Sequence, residues 1–141
     1  NTLINMGVVG LIGMLYIELV GGHYNGATLG GLLTMIGFAA FGKQPTNIIP
    51  VMLGVFLASL FSTFNANDPG PILAALFVTT IAPIAGKYGV LVGILAGFVH
   101  GSVVNFTGVL HGGLNLYNNG FTGGLVATAL GGIINGYKAR D

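Results

Sequence analysis

Apolar residues fill the chain in six long runs, Leu3 to Val20, Gly26 to Gly42, Thr46 to Thr63, Pro71 to Gly86, Tyr88 to Phe106 and Gly120 to Gly136, parted by short polar breaks. A membrane-crossing helix takes about 20 apolar residues, with about 17 as the lower limit. The pattern therefore predicts an all-α membrane protein, a helical bundle of about six hydrophobic segments forming one unit over 1–141. The second, fourth and sixth runs are only 16 or 17 residues long. At 1.5 Å per residue they barely cover about 30 Å of hydrocarbon, so each reads as a thin span, a half-helix or part of a re-entrant element.

Composition strengthens this reading. Charged residues make up 5% of the chain and apolar residues 53%, against roughly 25% charged residues in soluble domains. An ordinary aqueous surface cannot be built from such a chain. Its expected environment is a lipid bilayer, with the bacterial inner membrane as the expected location. A net charge of +1 gives no case for nucleic acid. Cysteine is absent, which removes disulfides and thiolate chemistry. The sequence opens on Asn1 without a basic n-region, and the chain is read as a fragment of a longer protein whose remainder is one of its partners.

The basic residues set an expected topology. Lys43 follows the second run, Lys87 the fourth, and Lys138 with Arg140 the sixth. If all six runs cross, these residues share one side, which the positive-inside rule makes cytoplasmic. The turns at 21–25, 64–70 and 107–119 then face outward, and His111, Asn67 and Asp68 are expected to be solvated there.

Three stretches share a pattern: NGATLGGLLTMIGFAAFGK at 25–43, DPGPILAALFVTTIAPIAGK at 68–87 and NNGFTGGLVATALGGIINGYK at 118–138. Each opens with Asn or Asp near Gly, continues as a helix rich in small residues and closes near a lysine. A repeated helical hairpin is one reading; the other is that Gly-Lys is only a helix C-cap with an interface anchor. Glycine spacing predicts close helix packing. Gly89, Gly93, Gly97 and Gly101 recur every four residues, as do Gly120, Gly124, Thr128, Gly132 and Gly136, and such faces let helix backbones approach closely.

The candidate chemistry lies in GGHYNG and NLYNNG, where amide side chains precede a helix N-terminus with its unpaired N–H groups. Asn25 and Asn119 are good turn and N-cap residues. Alternatively, the helices start inside the membrane, and their N-termini with flanking Asn, Thr and Tyr groups offer hydrogen bonds to a small polar solute. Glu18 closes the first run, either as a snorkelling interface residue or as a cation or proton site with His23 or His100. His100 sits about 12 residues, or roughly 18 Å, into its span. It is either interhelical glue or part of a permeation path.

The run Tyr24-Asn25-Gly26-Ala27, with Gly30 after it, resembles the start of a pore helix in the urea transporter family, and Pro71-Ile72-Leu73 with Phe77 is similar to its Pro-rich half-helix. The stretch HGGLNLYNNGFTGGLVA resembles a family of uncharacterised bacterial polytopic membrane proteins about three times as long as this chain. The urea-transporter resemblance implies a narrow pore for a small neutral solute in trimeric subunits. It singles out Tyr24, Asn25, Gly26 and Thr28, and in the third copy Asn118, Asn119, Gly120 and Thr122. That family has halves of inverted topology, whereas an even number of crossings between the two Asn-Gly turns makes these copies parallel.

No Ser-His-Asp order, paired carboxylates, phosphate-cradling loop or metal-ligand spacing is present, so the chain is read as neither an enzyme nor a metal protein, and no cofactor is expected. The expected function is a channel or transporter for a small polar solute, or half of one. The alternative is a structural or assembly subunit whose glycine faces pack on a partner and whose Asn turns are only caps.

Overall fold

The computed structural model describes residues 1–113 and 117–139, and all regular structure among them is helical. Arg140, assigned by its charge to the cytoplasmic side, lies outside the described residues. Helix α1 spans Thr2–Leu19 and α2 spans Gly26–Phe38, continued by a 3-10 turn at Ala39–Phe41. After α3, Pro45–Ser59, comes α4, Pro69–Phe77, which runs through a 3-10 turn at Val78–Ile81 into α5, Ala82–Tyr88. Then follow α6, Val90–Val103, a short α7, Gly108–His111, and α8, Asn118–Lys138.

Capping chemistry explains several boundaries. The side chain of Asn1 accepts from the Leu3 N–H at the start of α1. At its other end Gly21 takes φ +71°. There the Gly22 N–H reaches the Ile17 carbonyl at 2.8 Å and the Gly21 N–H reaches that of Glu18 at 3.0 Å, the paired closure that a left-handed glycine permits. Gly89, at φ +96°, ends α5 and turns the chain into α6.

The lengths differ from those expected of the apolar runs. The second run is short, its α-helix having 13 residues. The fourth, however, belongs to a 20-residue segment, Pro69–Tyr88, and the sixth to a 21-residue helix. The short members are α3, with 15 residues, and α6, with 14. Glycine misled the boundaries. Gly120 and Gly136 lie inside α8, where a glycine costs about 1 kcal/mol without ending a helix. Pro83, which has no N–H, lies in the first turn of α5, just after the 3-10 break of the fourth segment. Among the described residues, two helical segments, Thr2–Leu19 and Pro69–Tyr88, are long and apolar enough to cross a membrane.

Close contacts fix the relative directions. A methyl on Gly10 would meet Ile36, and one on Gly13 would meet Leu32 and Met35, so α1 and α2 pack antiparallel. Helices α3 and α6 run parallel, with Gly93 against Pro50, Gly97 against Val51 and Gly101 against Val55 and Ala58. Phe77 stacks edge-on against Tyr117 at 5.1 Å, and Gly123 lies beside Ile81 and Thr80, so the fourth segment and α8 also run parallel. Helix α3 sits at the centre, burying Ile48, Val51, Met52, Val55 and Ala58, and meets the buried Ile72, Ala75 and Leu76 of α4 in one core. Helix α1 lies at the edge; Leu3 is 76% and Leu19 77% exposed.

Candidate functional site

The first Asn-Gly turn is a cap. Asn25 adopts extended backbone, and its Oδ1 accepts from the N–H groups of Ala27 and Thr28, both at 3.0 Å. The Thr28 hydroxyl in turn accepts from the Asn25 N–H at 2.8 Å, completing a reciprocal capping box. Thr28 is fully buried, and its hydroxyl also reaches the His23 carbonyl at 3.1 Å. The N–H groups of Asn25, Ala27 and Thr28 are thus met locally. Gly26 has open space around its Cα. Glu18, expected either to snorkel at the interface or to pair with His23 or His100, lies beside Tyr24. The Tyr24 hydroxyl is pushed above its ordinary pKa by desolvation and by the hydrogen bond and charge of Glu18.

The second Asn-Gly turn behaves differently, because α8 starts two residues earlier than the motif suggests. Asn118 is already helical, so Asn119 lies inside the helix and does not cap it. Its side chain turns inward and meets His100 Nε2 at 3.2 Å. His100 is 0% exposed. With the Asn119 carbonyl oxygen facing it, Nε2 is assigned the ring hydrogen, which makes Nδ1 the acceptor in that tautomer. That Nδ1 is buried without a partner among the described residues.

Next to this pair lies a denser network centred on Thr107, which the sequence reading passed over. The Thr107 hydroxyl is 2.8 Å from Asn118 Oδ1, 2.7 Å from the Thr122 hydroxyl and 3.0 Å from the Val104 carbonyl. Thr107 and Thr122 are both buried. The amide of Asn118 donates to the Val104 carbonyl and accepts from His111 Nε2 at 2.8 Å, while the Thr122 hydroxyl also reaches the Asn118 carbonyl at 2.9 Å. The half-buried His111 ring stacks edge-on with Phe121 at 5.1 Å. His111 is therefore part of the network, not a solvated loop residue. A weak signal for Thr107 was available: it is the one hydroxyl within the polar stretch between α6 and His111.

The structure thus brings together His100, Asn118, Asn119 and Thr122 of the expected residues. His23, Tyr24, Asn25, Gly26 and Thr28 form a separate turn near the start of α4, where a methyl on Gly22 would lie 2.4 Å from Ile72. No hydrogen bond links the two groups among the described residues. Gly120 is covered by the Tyr117 ring. Of the expected packing glycines, Gly93, Gly97 and Gly101 face α3, whereas Gly89 is a turn residue, and Gly124 and Gly132 are exposed with nothing within 4 Å of a Cβ. No cluster of metal-ligating side chains occurs among the described residues.

A second buried polar contact lies at the 3-10 break of the fourth segment. Lys43, just past the 3-10 extension of α2, is 8% exposed and donates to the Thr79 hydroxyl at 2.9 Å. Neighbouring carbonyls of Ala39 and Lys43 accept from the Asn5 amide at 3.0 and 2.7 Å, which ties α1 to this turn.

Chemically, the His100 region is a buried cluster of amide, hydroxyl and imidazole groups with one unused acceptor. It has no carboxylate and no activated nucleophile, and it suits hydrogen bonding to an N–H or O–H group. No curated protein and no solved structure matches the chain, so these comparisons do not extend the resemblance to urea transporters. Residues 1–136 match the family described as "Protein of unknown function (DUF1576)", and the chain belongs to that family.

Proposed function

We propose that the chain is the membrane-embedded core, or part of the core, of a channel or transporter for a small polar, neutral solute, and that His100 and Asn119 contact the solute. The observation that carries this reading is the Nδ1 of the fully buried His100, unpaired among the described residues, beside the Thr107, Asn118 and Thr122 network. A buried acceptor without a partner costs about 1 to 3 kcal/mol. Such groups persist where a ligand supplies the missing bond, and a solute N–H or O–H is the complementary chemistry.

The membrane setting is supported by the outward apolar face of α1, where Leu11 and Leu15 join Leu3 and Leu19 in exposure. An apolar groove of about 390 Å³ between α1 and α3, lined in part by Ile12, Tyr16, Met52 and Phe56, extends that face. Three of the basic residues gather at one end. Lys87 and Lys138 both lie over the Tyr88 ring, at 5.1 and 5.5 Å, and Asn47 in the first turn of α3, four residues after Lys43, is next to Gly86. In the six-crossing reading this end is cytoplasmic.

Flux into liposomes carrying the full-length protein tests the proposal. Small amides or polyols should enter at a rate indifferent to membrane potential. His100→Leu and Asn119→Leu should each lower that rate by about tenfold, the kinetic equivalent of one lost hydrogen bond in a dry site.

A structural or assembly subunit is the second reading, favoured by the backbone contact of α3 with α6 at Gly54 and Gly97. It predicts no flux of amides, polyols or monovalent cations through the intact protein.

A further inference from the structure

The connection between α6 and α8 folds back beside the break in the fourth segment. Helix α6 itself ends near the start of α4, where Asn105 Oδ1 lies 3.9 Å from the place a methyl on Gly70 would take. From there the chain reverses. The Thr107 hydroxyl is 2.7 Å from that of Thr122 and the His111 ring stacks on Phe121 at 5.1 Å, so both residues stand beside the first turns of α8. Those turns lie beside the break: Tyr117 meets Phe77 at 5.1 Å, and a methyl on Gly123 would lie 3.3 Å from Ile81 and 3.4 Å from Thr80. Phe77 is about 13 Å along α4 from Asp68.

The fourth segment measures the depth of this corner. Its 20 residues rise about 1.5 Å each in α-helix and about 2.0 Å each in the 3-10 turn, so that Asp68 and Lys87 are about 30 Å apart along the axis, the thickness of a hydrocarbon core. With those charges at the two surfaces, the start of α8 falls inside the membrane. Residues 106–111 fit that depth. No Asp, Glu, Lys or Arg occurs between Lys87 and Lys138. Phe106, Val109 and Leu110 are exposed, and their own N–H groups are bonded to the carbonyls of Val103, Phe106 and Thr107. The polar side chains turn the other way: Thr107, His111, Asn118 and Thr122 bond to one another and to the Val104 carbonyl. Internal satisfaction of polar groups is the condition for irregular backbone at membrane depth.

We propose that this corner is embedded in the membrane: Phe106, Val109 and Leu110 face the lipid acyl chains of the leaflet opposite the lysines, and α8 starts inside the bilayer and not at its surface. A lipid-facing edge then takes the place of the aqueous turn that the sequence suggests beyond α6. The Asn119–His100 pair, in the first turn of α8, lies at membrane depth with it. This inference rests on the membrane setting of the reading above and is independent of transport.

Fluorescence quenching of the full-length protein in liposomes tests it. The chain has no cysteine, so with any cysteine beyond it changed to serine, bimane can be attached singly at Phe106→Cys or Val109→Cys, exposed positions outside the core. Leu11→Cys on the outer face of α1 is the reference for lipid, and Asn67→Cys in the turn before α4 the reference for water. Lipids brominated on their acyl chains should quench the probe at both corner positions as they do at Leu11, while iodide on both sides of the vesicle should quench it at Asn67 alone. Iodide quenching at the corner together with lipid quenching at Leu11 would put the corner in water and overturn the inference, leaving the membrane setting intact. Shielding of the corner from both quenchers would mean that protein covers it, and would overturn the inference as well. Iodide quenching at Leu11 would overturn the membrane setting itself, and this inference with it.

Discussion

Gly54 and Gly97 let the backbones of α3 and α6 touch: a methyl on Gly97 would lie 2.0 Å from the Val51 carbonyl oxygen, and one on Gly54 would lie 2.1 Å from that of Ile94. The obstacle is rigid helix backbone and not the tip of a flexible side chain, so neither helix can yield without moving as a whole.

Gly97→Ala and Gly54→Ala should each destabilise the bundle by about 1 to 3 kcal/mol, the usual range for overpacking. Gly124→Ala serves as the control. It adds a methyl to an exposed helical position with nothing within 4 Å, and it should be neutral or stabilising by up to about 1 kcal/mol. Thermal unfolding in detergent compares the three; equal midpoints would show that α3 and α6 are not packed through these residues.

The two Asn-Gly turns should respond differently to the same change. Asn25→Ala removes a cap and should cost about 1 kcal/mol, largely recovered in Asn25→Gly. Asn119→Ala removes the partner of His100 Nε2 and should cost about 1 to 3 kcal/mol, because a buried donor is stranded. Asn119→Gly should give no recovery. Denaturant titrations of the four variants measure this, and a cap-like recovery at Asn119 would place it outside α8.

Thr107 and Thr122 should be energetically coupled. Their hydroxyls are 2.7 Å apart and both are buried. Thr107→Val and Thr122→Val should each destabilise, while the double variant should cost less than their sum by about 0.5 to 3 kcal/mol. Strict additivity would mean that the hydroxyls are bonded elsewhere.

Stability should depend on pH through Lys43. Its pKa is lowered in the folded chain to about 8, so between that value and the ordinary lysine range the unfolded chain binds more protons than the folded one, and stability rises with pH. The wild type should gain unfolding temperature from pH 8 to 9.5 relative to Lys43→Met at the same pH. Parallel curves for the two proteins would contradict the burial of this amine.

What the sequence determined by itself was whatever depends on composition and on neighbours a few residues away. The helical class follows from apolar runs with few charges, and the capping box at Asn25 follows from two side chains three residues apart, each accepting from the other's backbone N–H. The four-residue glycine stripe marked a face of α6 on which a helix could approach closely. Its pattern contained neither the identity of α3 as the neighbour nor Gly54 as the facing residue, because those depend on the register between helices. For the same reason the sequence treated Asn25 and Asn119 as equivalents. Only the packed bundle started α8 at Asn118 and so turned Asn119 towards His100, 19 residues away. Thr107 and His111 entered the network because α7 and α8 fold back over the end of α6. Lys43 reached Thr79, 36 residues along the chain, because α2 ends beside the break in the fourth segment. A buried polar group must find its partner among whatever neighbours the helix packing brings into reach, and in this chain that packing is a property of the tertiary structure.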